Sequence, residues 1–273
     1  MSATASDSAS ADLSPPVLHT RDERGVHSLV LNRPATFNAL GEEMLAALQT
    51  ALDAIALDRS ARVVVLSAQG KAFCAGHNLK EMRARVEMPY YQKLFAQCTR
   101  MMLSLQNLPV PVIAKVQGLA TAAGCQLVAQ SDLAVAASQA SFGVNGIDVG
   151  LFCATPSVPL VRNMPAKQAM EMLLTGEFIT ADEARARGLV NRVVPLEALD
   201  DEVEKLVQTL LSKPREAVAM GKALFYRQRE TGVEAAYQLA GQTMASNMMH
   251  PVAQEGVQAF IDKRKPQWPA AAL

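Results

Sequence analysis

Neither sign of charge is in excess in this sequence: 26 Lys and Arg balance 26 Asp and Glu, so the net charge is zero. Nothing in that balance suggests the strongly basic face of a nucleic-acid-binding protein, and the KRK stretch at 263–265 is too short to argue for one. No apolar run reaches the roughly 18 residues that a membrane span needs. Cysteine is scarce, with Cys74, Cys98, Cys125 and Cys153 only. None forms a CxxC pair and no histidine cluster lies near them, which predicts buried free thiols in a reducing compartment and no metal. A GxSxG elbow, a GxxxxGK[ST] loop, an HExxH pair and a GxGxxG turn after a strand are all missing. The first 16 residues, MSATASDSASADLSPP, hold no basic residue and no apolar h-region. They resemble neither a secretory signal nor an Arg-rich transit peptide. The expectation is a disordered leader over 1–16 and a cytoplasmic protein.

What is present fits a large folded domain. Half of the 273 residues are hydrophobic, enough for a sizeable core. VHSLVLN (26–32), VVVLSA (63–68), VPVIAKVQ (110–117) and LAVAA (133–137) read as strands, with a short SFGV (141–144) after them. Leu40, Met44, Leu45, Leu48, Leu52 and Ile55 recur at helical spacing, and a second amphipathic helix spans about 90–107. Strand alternating with helix predicts an α/β core with crossover connections. Past residue 195 four stretches read as consecutive helices, which sets a core over 17–199 and a C-terminal helical region over 200–273.

Two segments share one design. VVVLSAQGKAFCAGHNLKEM (63–82) and VIAKVQGLATAAGCQLVAQ (112–130) each run from a strand through small residues into a helix. The first amides of such a helix lack partners, and with the helix dipole they suit an anion or a developing oxyanion. Two such turns facing one another would present two N–H donors to one oxygen. From spacing alone, close helix–strand packing explains the small residues equally well.

NRPATFNAL (32–40), KAFCAGHNLKEM (71–82), PVPVIAKVQGLATAAGCQLVAQSDLAVA (109–136), SFGVNGIDVGLFCATP (141–156), MEMLLTGEFITADEARARGLVNRVVP (170–195) and FIDKRKP (260–266) together resemble the crotonase, or enoyl-CoA hydratase/isomerase, superfamily. The resemblance runs in register over about residues 17–268. It implies a spiral of ββα repeats with a C-terminal helical region, assembled as a homotrimer or homohexamer. It implies an acyl-CoA or enoyl-CoA thioester as substrate, with coenzyme A as part of that substrate and no other cofactor. By motif position, the oxyanion-hole amides are those of His77 and Ala123, the latter before Gly124. The family often has Ala and Gly at these positions. Ala75, Asn78 and Leu79 fall in the segment that contacts adenine and pantetheine. Lys71, Lys80 and Lys263 are candidates for the CoA phosphates, and Phe260 accompanies them; taken alone, each lysine is also an ordinary solvated surface charge.

The sequence departs from its family where hydratases carry two glutamates. Those positions hold Gln126 and Gly146. Hydration needs a group to activate water and a group to protonate Cα, and an amide accepts no proton at neutral pH. Asp148 is either a substitute base or a loop cap. The His77 ring is either a proton carrier or a bystander to its own backbone. Glu81 is expected on a solvent-facing helix surface. Tyr90, Tyr91 and Phe95 either shape an acyl pocket or fill the core. These readings predict a CoA-thioester enzyme in which ordinary two-glutamate hydration is weak or absent. Decarboxylation or hydrolysis of a CoA thioester, or acyl-CoA binding without turnover, stand as alternatives.

Overall fold

The computed structural model describes residues 14–268. Of the stretch expected to be a leader, residues 1–13 lie outside the described residues, while Pro16 is already in the fold, its carbonyl accepting from the Asn32 amide at 2.8 Å.

The chain opens with β1 (Val17–Arg21), antiparallel to β2 (Val26–Leu31). After α1 (Glu42–Leu57) comes β3 (Val63–Ala68), parallel to β2. Each later strand pair repeats one unit: a strand of the first sheet, a short strand of a second sheet, then helix. β3 is followed by β4 (Ala72–Cys74), α2 (Leu79–Ala84) and α3 (Met88–Asn107). Next come β5 (Val112–Val116), β6 (Leu119–Thr121) and α4 (Ala123–Gln130). Then follow β7 (Leu133–Ala137), β8 (Ser141–Gly143), α5 (Ala154–Asn163) and α6 (Ala166–Thr175). The last turn holds β9 (Ile179–Thr180), α7 (Ala181–Ala186) and β10 (Arg192–Val194). The chain thus spirals between two stacked sheets, of order β1-β2-β3-β5-β7-β10 and β4-β6-β8-β9. The right-handed strand–helix–strand connection favours such winding.

The apolar spacing read from the sequence is the packing seen. Met44, Leu45, Leu48, Leu52 and Ile55 of α1 are buried against the core, each contributing about 1.5–3 kcal/mol on burial. Leu40 differs: it precedes the helix and is completely buried in a lone bridge to His77. On the other face of the large sheet, Leu199, Val203, Leu206 and Val207 of α8 (Leu199–Leu211) cover Val63, Ile113 and Val135. The chain ends with α9 (Arg215–Gln228), α10 (Val233–Met248) and α11 (Pro251–Ile261).

α9 is docked by a buried charge. The Lys222 ammonium donates to the carbonyls of Leu105 and Val110, each at 2.9 Å, and to Asp132 Oδ2 at 2.7 Å. The Tyr226 hydroxyl and the Val112 amide also donate to Asp132. A buried ion survives only when its hydrogen bonds are made this completely. α10 and α11 bury far less, and leave Tyr237, Met244, Met248, Phe260 and Ile261 exposed.

Candidate active site

The first small-residue turn runs from β4 through Ala75, Gly76 and His77. Two bonds hold it: the Ala75 amide donates to the Phe37 carbonyl at 3.0 Å, and the Leu40 amide donates to the Gly76 carbonyl at 2.7 Å. In a trans peptide, C=O and N–H point in opposite directions. With its carbonyl held by Leu40, the Gly76–His77 peptide turns the His77 N–H away from α1. The ring is tied as well, with Nδ1 3.1 Å from the Leu40 carbonyl oxygen. A carbonyl only accepts, so Nδ1 carries the proton. Phe95 meets the ring edge-on at 5.5 Å. Nε2 is buried without a partner among the described residues. Burial holds the His77 pKa below its usual value, which keeps the ring neutral at pH 7.

The second turn joins β6 to α4. Ala122 takes a left-handed φ of 50° and its amide donates to the Gly143 carbonyl at 2.9 Å. Its carbonyl accepts from the Gln126 amide at 3.0 Å. By the same peptide geometry the Ala123 N–H points off the start of α4, where no helical acceptor exists. The two turns touch. A Cβ on Gly76 would lie 2.8 Å from the Ala122 Cβ and 3.1 Å from the Ala123 nitrogen, and φ at Gly76 is +86°. Only glycine meets both conditions. Gly124 packs against the Cys74 carbonyl.

His77 and Ala123 line one cavity of about 290 Å³. Its apolar lining comprises Leu79, Met82, Phe95, Val149, Leu151, Phe152 and Pro156. Thr121, Asn145 and Thr155 bring neutral polar groups, and no carboxylate, lysine or arginine is in the lining. The volume is at the small end for a ligand pocket. Two backbone donors beside an apolar hollow at a helix start can stabilise negative charge on one oxygen.

The two positions at which the resemblance places hydratase glutamates, Gln126 and Gly146, differ in their surroundings. Gly146 lines the cavity, but a Cβ there would collide with the Leu151 carbonyl and lie 2.9 Å from Cys153 Sγ. The loop has closed over the space a side chain would need. Gln126 is buried within α4, its Oε1 unpartnered among the described residues, and it is not in the cavity lining. Asp148 is exposed in the 3-10 turn Asn145–Val149, its carboxylate packed against Gly176 at the end of α6 and not in the lining. Cys153 is in the lining, with burial raising its thiol pKa, so it holds its proton and is a poor nucleophile. All four cysteines are buried and free; burial pushes Cys74, Cys98 and Cys125 up to about 12.

Of the residues assigned to CoA, Ala75 and Leu79 line the cavity. Asn78 caps α2: its Oδ1 accepts from the Lys80 and Glu81 amides. Lys71 and Lys80 are exposed, Lys71 lying 5.5 Å over the Phe37 ring. Phe260 and Lys263 are not brought to the cavity. They sit at the exposed end of α11, and Lys263 closes that helix with φ of 53°. Glu81 does not face solvent. Its carboxylate accepts from Asn78 Nδ2 at 2.7 Å and from the Glu42 amide at 3.2 Å, so it caps α1 from another element. Of the three aromatics, only Phe95 lines the cavity; Tyr90 is buried and the Tyr91 hydroxyl donates to the Met82 carbonyl. Sequence reasoning missed the Leu40 clamp and the Thr121–Asn145 pair, in which Thr121 Oγ1 lies 2.6 Å from Asn145 Oδ1. Both polar residues stood inside the motifs already singled out, but only the small residues and the missing carboxylates were read there.

Comparison with known proteins agrees with this geometry. The sequence model of the enoyl-CoA hydratase/isomerase family matches residues 21–271. Rat enoyl-CoA hydratase domain-containing protein 3, mitochondrial, is 43% identical over 260 residues, covering 95% of this chain and 87% of its own. The crystal structure of an enoyl-CoA hydratase from Mycobacterium smegmatis superposes with a TM-score of 0.92 at 63% identity, covering 93% of this chain and 99% of that one. Human enoyl-CoA hydratase domain-containing protein 3 gives 0.89 at 43%, covering 93% and 100%. These relatives correct the cytoplasmic expectation: the rat, mouse, Xenopus laevis and human proteins of that name are all named mitochondrial. The composition of residues 1–16 does not carry a cytoplasmic assignment against them. With the two-sheet spiral, the paired turns and these matches in view, the chain belongs to the enoyl-CoA hydratase/isomerase family.

Proposed function

We propose that this protein binds acyl-CoA or enoyl-CoA thioesters with the thioester carbonyl between the His77 and Ala123 amides, stabilising an enolate or a related oxyanion, and that ordinary two-glutamate hydration is weak or absent. The observation that carries the reading is a cavity with two oriented amides and no proton-carrying carboxylate. Each oxyanion donor is worth about 10²–10³ in rate, and each positioned acid or base about 10²–10⁴. This chain keeps the first contribution and has no carboxylate in the lining to supply the second. Reactions run mainly from the amides, such as loss of carbon dioxide from a malonyl-type CoA, fit that division. Lys71 and Lys80 flank the first turn and are free to meet the CoA phosphates. The exposed apolar side chains of α10 and α11 support self-assembly as a homotrimer or homohexamer.

A second reading, acyl-CoA binding without turnover, is favoured by the same lack of a carboxylate in the lining. One experiment separates them. The purified protein is incubated with enoyl-, malonyl- and saturated acyl-CoAs, and products are followed by mass. Carbon dioxide loss or free CoA supports an enzyme working from its oxyanion hole. No change, with CoA esters bound in a parallel titration, supports the binding protein. Crotonyl-CoA hydration near the ordinary enzyme median of about 10 s⁻¹ defeats the central claim.

A further inference from the structure

Outside the cavity, two histidines and a carboxylate form a line. His19 Nε2 lies 2.9 Å from His27 Nδ1, and His27 Nε2 lies 3.1 Å from Asp58 Oδ2. His19 is exposed on β1, His27 is 3% exposed on β2, and Asp58 follows the last residue of α1. The Ser60 hydroxyl donates to Asp58 and is the first cause holding its carboxyl at about 2. Asp58 is therefore ionised and only accepts. That fixes the hydrogens of the neutral line: His27 Nε2–H donates to Asp58, and His19 Nε2–H donates to His27 Nδ1. The charged surroundings are few. Arg21, opposite His27 on β1, meets Asp58 Oδ2 at 3.1 Å and Ser60 Oγ at 2.6 Å. Val64, beside His27 on β3, is apolar. Arg62 turns to the Leu211 and Lys213 carbonyls, and Asp53 of α1 is held by Gln49. In the hairpin turn, Arg24 pairs with Asp22 and with Glu204 of α8; Glu23 and Arg59 are exposed.

The His19–His27 contact has room for one hydrogen. A first proton is accommodated, because a cationic ring still donates to its neutral neighbour and Asp58 balances the charge. A second proton sets N–H against N–H and cation against cation, and the contact is lost. β1 is an edge strand that pairs only with β2, and Val17 is its one buried residue. We infer that the His19–His27–Asp58 line is an acid-released latch: it fastens β1 and β2 to the end of α1 through the first proton and lets β1 go on the second. The opened strands accept both protons as ordinary histidines do, so uptake of the second pulls toward release. Burial and the neighbouring His27 lower the His19 pKa, in keeping with this sign. Release uncovers the backbone edge of β2, a template for pairing with another strand.

Hydrogen exchange of the full chain tests this, read by mass over residues 17–31 from about pH 7.5 to 4.5 and corrected for the intrinsic pH dependence of exchange. Protection of β1 should stay level and then fall about tenfold per pH unit, the slope of one extra proton bound on opening, while β3 and β5 keep theirs. In His19→Gln the side-chain amide can donate to His27 without adding charge, so the fall should begin at least about one pH unit lower. Nitrogen NMR of labelled histidine rings in the wild type counts the protons, and the pair should take up one before β1 opens. Level protection throughout, the same fall in His19→Gln as in the wild type, two protons taken up with β1 still protected, or loss of protection over the whole chain at once each overturns the latch.

Discussion

The Leu40 amide donates to the Gly76 carbonyl oxygen at 2.7 Å, and the Leu40 carbonyl oxygen lies 3.1 Å from His77 Nδ1. One completely buried residue ahead of α1 therefore holds the carbonyl of the Gly76–His77 peptide and the ring of His77, whose N–H is proposed to meet the thioester. The donor is aimed by bonds made on the far side of its own peptide plane. That is preorganisation: the cost of orienting the amide is met in folding, before any ligand binds.

Gly76→Ala should break this arrangement. The new methyl meets Ala122 Cβ and the Ala123 nitrogen at a backbone φ of +86°. Such strain costs about 1–3 kcal/mol, and the displaced amide should lower thioester turnover about a hundredfold or more. Gly70→Ala is the matched control. It carries φ of +80° and meets the Pro34 Cβ at 2.7 Å, but is outside the cavity lining. Thermal melting should show both variants weakened, and only Gly76→Ala should lose activity, or affinity if the protein proves a binder.

Stability should fall on mild acidification, in part through His77. Burial holds the folded pKa of its ring below the ordinary 6.5. The unfolded chain then takes the proton first as pH drops. The contribution of the neutral ring is full above about pH 6.5 and is lost as pH falls toward the folded value. His19 acts in the same direction, lowered by burial and by its neighbour His27. Urea midpoints measured from pH 8 to pH 5 should decline in the wild type and decline less in His77→Gln. An equal decline in both would assign the acid sensitivity elsewhere.

Lys222→Met should be among the costliest single changes outside the cavity. The Lys222 and Asp132 side chains are only 6% and 15% exposed. Removing the ammonium strands a buried carboxylate and two carbonyls, at about 3–5 kcal/mol. Tyr226→Phe deletes one donor to the same carboxylate and should cost about 1.5–3 kcal/mol. Urea unfolding reads both. Because hydrophobic replacement of a whole buried pair is often neutral, Lys222→Met with Asp132→Leu should regain part of the loss.

Long elements were legible in the sequence because their periodicity is repeated. α1, α3 and α8–α11 show several helical turns each, and β2, β3, β5 and β7 are runs dominated by apolar residues. The second sheet was largely illegible for the opposite reason: β4 and β6 have three residues and β9 has two, too few to show a period of two. At the site, the small-residue turns were visible, but their contact was not, since Gly76 and Ala122 meet only through the parallel pairing of β4 and β6. Glu81 was misread for the same reason. On its own helix it is an ordinary surface carboxylate, and only the fold brings it to the first turn of α1.

The most direct challenge to the proposed function is to put the carboxylates back. Gln126→Glu replaces an amide by an acid of the same shape at a buried position, and burial will raise the pKa of the new group. Gly146→Glu is a different problem. The side chain would start inside the Leu151 carbonyl and beside Cys153 Sγ, so the loop must open before the carboxylate can enter the cavity, at an overpacking cost of about 1–3 kcal/mol. If the missing glutamates alone limited hydration, the double variant would hydrate crotonyl-CoA near the ordinary median of about 10 s⁻¹. The expected result is instead a destabilised protein with hydration well below that rate, because the loop has rebuilt itself around glycine. Shortening the Leu151–Cys153 segment in the double variant should then raise the rate, and a double variant already fully active without that change would show that the loop is no obstacle.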